Sequence, residues 1–171
     1  WVIEALKDAG VRGYDAASIA EIELVRSVDP DARIAFMHPV KSRVAISAAY
    51  FDHGVKTFSF DTHEELAKIL DATGQAKDLN LIVRMGVQAE GAAYSLSGKF
   101  GMGVEGAAEL LKATREKAYK LGVCYHVGSQ CMNPEAYRNA MIWAKELIAS
   151  TGVKVDVLDM GGGFPSVYPG M

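Results

Sequence analysis

The sequence predicts an α/β fold, a (β/α)₈ barrel with about six of its eight strands present, on three observations. Short β-rich runs alternate with helical patterns from end to end, which implies parallel strands with helices outside. Helix start and stop signals punctuate the intervals between the runs. Polar residues, namely Asp15, His38, Asp61, Arg84, His126 and Asp159, fall at or just past the C-terminal end of each run. A barrel gathers such ends on one rim. A doubly wound open sheet is the competing architecture, but it binds ligand at one switch point rather than along every strand.

Taken in order, Trp1 to Lys7 reads as the middle of an amphipathic helix. It has no initiator Met or capping residue, and the chain stops at Met171 just past a glycine turn, so both ends are expected to be cuts in a longer protein. The predicted strands are 11–15, 33–37, 56–61, 79–84, 122–127 and 155–159, chosen for compact apolar runs or period-two alternation. Ser18 with Glu21, and Thr62 with Glu65, fit capping boxes. Asn133-Pro134 supplies an N-cap followed by Pro at the first helical position. The helix after it puts Ala136, Ala140, Trp143, Ala144 and Leu147 on one face. An earlier one aligns Ala107, Leu110, Leu111, Thr114, Ala118 and Leu121. Gly54, Gly74, Gly122 and Gly152 are expected where helices stop. With two strands missing, the sheet should have unpaired edges and an open interior.

Composition narrows the function classes. Of the 171 residues, 50% are hydrophobic and 23% charged, which suits one globular domain with a sizeable core. A net charge of -3 leaves no basic footprint for nucleic acid. No apolar run approaches the roughly 20 residues of a membrane span, and no signal peptide opens the chain, so a cytoplasmic protein is expected. Cys124 and Cys131 lack metal-type clustering and read as reduced thiols.

Three features carry chemistry. Gly161-Gly162-Gly163, after the strand ending at Asp159, lets backbone N–H groups approach an anion; otherwise it is a flexible turn, against which Phe164 and Pro165 argue by anchoring its exit. His126 ends a strand and is an acid/base, a metal ligand, a stacking surface for a flat cofactor, or a structural residue, the metal reading being weak because no second His or Cys stands at ligand spacing. Ser129, beside Gly128, adds a hydroxyl able to bind phosphate. Asp15 and Arg84 each end a strand, and a structural ion pair is the simplest account of them. Lys99 sits in a Gly- and Ser-rich loop, either solvated or contacting a ligand or partner subunit, while His38, His53 and His63 form no constellation.

Taken together, Tyr14-Asp15-Ala16-Ala17-Ser18 with Glu21, Val83-Arg84, Lys99-Phe100-Gly101, His126-Val127-Gly128-Ser129 and Gly161-Gly162-Gly163-Phe164-Pro165 resemble an ordered series. That series is found in the fold-type III pyridoxal-phosphate decarboxylases, of the eukaryotic-type ornithine/lysine decarboxylase family. Phe164-Pro165 looks more like the ornithine than the diaminopimelate enzymes. The resemblance implies an alanine-racemase-like barrel binding pyridoxal 5′-phosphate, and decarboxylation of a basic amino acid, ornithine to putrescine first, in polyamine biosynthesis. It implies that His126 stacks on the pyridoxal ring and that Ser129 with Gly161, Gly162 and Gly163 binds the 5′-phosphate. Asp15 and Arg84 would lie near the phenolic edge and Schiff-base region. Lys99 resembles a lysine contacting the second subunit of a homodimer whose active sites form at the interface.

By the same resemblance, the Schiff-base lysine should precede Trp1, since neither Lys7 nor Lys41 matches its motif. The acid pairing with the pyridine nitrogen and a C-terminal β domain should follow Met171. The chain by itself is therefore expected to be inactive. Rival expectations are another substrate of the superfamily, lysine or diaminopimelate among them, and a non-catalytic decarboxylase-like regulator. Retention of His126, Ser129 and the glycine triplet favours a cofactor-binding parent.

Overall fold

The computed structural model describes residues 1–87, 92–94 and 99–167, so residues 96–98 of the loop singled out around Lys99 lie outside it. In chain order the elements are α1 (Val2–Asp8), β1 (Gly13–Ala16), α2 (Ile19–Val28), β2 (Arg33–Phe36), α3 (Arg43–Phe51), β3 (Thr57–Phe60) and α4 (His63–Ala72). They continue with β4 (Asn80–Arg84), β5 (Ala92–Tyr94), α5 (Val104–Arg115), β6 (Lys120–Cys124), β7 (Ser129–Cys131), α6 (Pro134–Thr151) and β8 (Val157–Asp159). Six strands form one parallel sheet in the order β1-β2-β3-β4-β6-β8, curled as an incomplete barrel wall. All six predicted strands are present. The sequence did not disclose β5 and β7, a short antiparallel ribbon standing on the rim.

Alternation along the strands sorts side chains to the two faces. Phe58, Phe60, Leu81, Val83, Leu121 and Val123 point outward and join the buried core beneath the helices, with Ile69, Leu110 and Leu111 among their partners. Burying each such side chain stabilises the fold by roughly 1.5–3 kcal/mol. Asp15, Ala35, Thr57, Ile82, Val157 and Asp159 point inward, lining an open interior of about 450 Å³. Among the described residues, no helix is long and apolar enough to cross a membrane.

The helix signals hold with four corrections. Ser18 Oγ accepts from Glu21 N at 3.2 Å and Glu21 Oε2 accepts from Ala17 N at 2.6 Å, a reciprocal box displaced by one residue. Thr62 caps Glu65 N at 3.1 Å, yet the Glu65 carboxylate turns inward, to Lys41, instead of back to the cap. Gly54, Gly74 and Gly152 follow helices with φ near +66°. Gly122 stops no helix. It lies within β6, between Ile82 and Val157, where a Cβ would collide with the Ile82 side chain. α5 ends at Arg115, whose guanidinium takes the Ala118 and Tyr119 carbonyls at 2.8 and 3.3 Å, so Ala118 and Leu121 lie beyond the predicted helix face.

Candidate functional site

Parallel register brings the strand ends to one level. Arg84, Cys124 and Asp159 are consecutive neighbours across β4, β6 and β8, and Asp15 projects from β1 on the same face. They open into a cavity of about 350 Å³ whose lining also includes His126, Gly161 and Gly162. Four of the six rim residues read from the sequence, Asp15, Arg84, His126 and Asp159, therefore line one cavity. His38 and Asp61 do not line it: Asp61 accepts from Gly101 N at 2.9 Å, and His38 meets the edge of Phe100 at 5.4 Å between ring centroids.

His126 stands two residues past β6, half-buried. Its Nδ1 accepts from Gly128 N–H at 2.9 Å, which assigns the ring proton to Nε2. Burial, and then the positive charge of Arg84, push its pKa below the ordinary histidine value, while Asp159 opposes the shift. The imidazole is neutral at physiological pH, with a flat face and one N–H donor.

The glycine triplet packs on the backbone that carries His126. Gly161 and Gly163 have φ of +68° and +87°, and a Cβ on either would run into the carbonyl oxygen of Tyr125 or Gly128 respectively. At Gly162 a Cβ would meet nothing nearer than His126 Nε2 at 3.8 Å. The Gly161 N–H is held by Asp159 Oδ1 at 2.8 Å. Among the described residues, no protein acceptor takes the N–H of Gly162 or Gly163. Two of the three glycines are thus required by close packing, and two of the three N–H groups remain available to an anion. Ser129, exposed at the start of β7, adds a hydroxyl with no hydrogen-bond partner among the described residues. Such a cradle beside a neutral aromatic face suits a phosphorylated, flat cofactor, and pyridoxal phosphate fits it.

The expected ion pair between Asp15 and Arg84 is absent; the two line one cavity without a salt bridge. Arg84 lies instead over the Phe100 ring, 5.1 Å from its centroid, and among the described residues it forms no salt bridge. Asp15 keeps solvent on one side, yet the atoms packed around it, and then the negative charge of Asp159, push its pKa up. Burial pushes the Cys124 thiol to about 12, so it is inert. Lys99 is exposed, its Nζ 5.2 Å from the Phe100 centroid.

Sequence reasoning missed two residues that shape the rim. Phe100 was quoted only as part of a motif. Lys41 is buried, with its ammonium on the carbonyls of His38 at 2.8 Å and Ser59 at 2.6 Å and 3.2 Å from Glu65 Oε1. Its pKa is lowered to about 8 by burial, with Glu65 opposing. Only the Pro39 stop before it and the helix-start register of Glu65 hinted at this contact.

Comparison with known proteins gives consistent matches. The family model for the pyridoxal-binding domain of pyridoxal-dependent decarboxylases matches residues 1–170. An ornithine decarboxylase of Caenorhabditis elegans is 40% identical over 159 residues, covering 90% of this chain and 37% of the relative. Antizyme inhibitor 2 of Homo sapiens is 33% identical over 169 residues, covering 96% and 36%. A crystal structure of an SrLDC variant in complex with PLP superposes with a TM-score of 0.85 at 33% identity, over 96% of this chain and 43% of that one. The chain thus spans well under half the length of the proteins it resembles.

Proposed function

The chain belongs to the pyridoxal-dependent decarboxylases, and from that premise we propose that it is the cofactor-binding barrel of a longer enzyme acting on a basic amino acid. L-ornithine, yielding putrescine, is the substrate we favour; lysine and diaminopimelate are the rivals. The observation that carries this reading is the neutral His126 imidazole set against a glycine loop with two N–H groups unclaimed.

Pyridoxal phosphate, when bound, supplies the sink for the electron pair left as the substrate's carboxyl departs as CO₂. The chain's own residues would hold the cofactor. His126 would offer its uncharged face to the pyridine ring. The N–H groups of Gly162 and Gly163 and the Ser129 hydroxyl would donate to the phosphate oxygens. Arg84, packed on Phe100 and in no salt bridge among the described residues, would stabilise negative charge developing at the phenolic edge. Asp15, whose carboxyl retains its proton more readily through burial and then the charge of Asp159, would offer a hydrogen-bond partner to the same edge.

The remaining roles fall outside these residues: a lysine holding the cofactor before Trp1, and a C-terminal β domain after Met171. We assign the whole protein to the cytoplasm as a homodimer, with Lys99 near the second subunit. Purified full-length protein should develop the visible absorbance of bound pyridoxal phosphate and release CO₂ from ornithine faster than from lysine or diaminopimelate. The 171 residues alone should release none above the rate of free cofactor. The 33% identity to an antizyme inhibitor makes a regulator the second reading. Full-length protein that neither binds the cofactor nor releases CO₂ would establish that alternative.

A further inference from the structure

The cradle is split between two segments, Ser129 on β7 and the glycine loop after β8, and nothing in the barrel sheet links them directly. Gln130 does. Its side-chain Nε2 donates to Ser166 O at 2.8 Å and its Oε1 accepts from Ser166 N at 2.7 Å, so one amide closes both backbone groups of a single residue. Only one orientation of the amide satisfies both bonds, which fixes its rotamer as well. Next to it, Cys131 N donates to Gly163 O at 2.8 Å. Tyr137 stacks on Phe164 with centroids 4.9 Å apart and planes 6° from parallel. The loop is therefore held at Gly163, Phe164 and Ser166, while the N–H groups of Gly162 and Gly163 are left open.

Gln130 also adopts φ +53°, a left-handed conformation that favours glycine. A non-glycine residue there persists where its side chain returns more than the backbone loses. Turning the backbone at Gln130 leaves Ser129 exposed while the next side chain reaches the loop.

We propose that Gln130 is a positioning residue that fastens the glycine loop to β7, so that Ser129 and the Gly162 and Gly163 N–H groups converge on one phosphate group. The proposal rests on the cofactor reading above and deepens it: the phosphate half of the site is preorganised by this clamp, whereas the ring half is held by His126.

The test compares pyridoxal phosphate with pyridoxal, which lacks the phosphate, in the full-length protein. Gln130→Gly suits φ +53° and removes only the clamp; its dissociation constant for pyridoxal phosphate should rise about tenfold, as expected for two lost hydrogen bonds. That for pyridoxal should stay within about twofold of wild type, well inside the tenfold that 1.4 kcal/mol represents. Gln130→Glu, which can accept from Ser166 N but cannot donate to its carbonyl, should fall on the same side. Equal binding of pyridoxal phosphate by wild type and both variants overturns the clamp, as does an equal loss for the two ligands. Wild-type protein that binds no pyridoxal phosphate overturns the functional reading itself, before any variant is compared.

Discussion

Two loops on the same rim are secured by opposite means. The one after β2 is fixed by a buried charge: Lys41 reaches into the protein, binds two carbonyls and meets Glu65, and no part of that arrangement is left for a ligand. The one after β8 is fixed by missing side chains, by the Cys131 N–H on Gly163 O and by the neutral Gln130 amide, and two of its N–H groups find no acceptor among the described residues. The difference separates scaffold from site. A rim loop that spends its polar groups on itself supports its neighbours, as Lys41 supports His38 and His38 meets Phe100 beneath Arg84. A rim loop held only at its flanks can receive an anion without rearranging.

The strongest way to break this contrast is Lys41→Met. It takes the donor from the His38 and Ser59 carbonyls, while Glu65 keeps Lys68 and the Lys41 backbone N–H, and should cost about 3–5 kcal/mol in urea unfolding. A cost no larger than that of an ordinary surface change would show that the first loop does not depend on its buried charge.

Next in size is Gly163→Ala, which meets the Gly128 carbonyl and a left-handed backbone together, for about 2–5 kcal/mol. Gly162→Ala, with room beside His126, should stay within about 0.5 kcal/mol by the same measurement. Equal costs at the two positions would mean that packing does not distinguish the members of the triplet.

The smallest effect concerns charge. His126 has its pKa lowered by burial and then by Arg84, so as pH falls the unfolded chain takes up this proton before the folded one. Its contribution to stability is therefore constant above the unfolded value of about 6.5 and declines below it, until the folded pKa is passed. Arg84→Met should raise the His126 midpoint, read by NMR titration, and shrink that decline. An unmoved midpoint would leave burial as the whole cause.

The barrel wall was legible because each strand is a short apolar or alternating run with its own stop. The rim was legible because polar residues recur at those stops. What escaped has physical reasons. β5 and β7 are three residues each, too short to show a period, and pair only because the chain folds back over the rim. Gly122 reads as a helix stop in one dimension, but its lack of a side chain serves Ile82 and Val157 on neighbouring strands. Asp15 and Arg84 share a rim, as expected, but Phe100 takes the cation, and no local spacing encodes that. Gln130 follows a serine already singled out, yet its partner is 36 residues away.

The order of the sheet is also the order of synthesis. Each strand of the wall pairs with the wall strand that precedes it in the chain, with β5 and β7 as excursions. Each newly made βα unit therefore finds its edge already waiting, and this part of the wall can grow without a late search for a distant partner. β8 joins last of the described strands, and its glycine loop closes only over a 125–131 segment already in position. The anion cradle is consequently a late event in folding, and capture of an anion there would report that the wall beneath it has assembled.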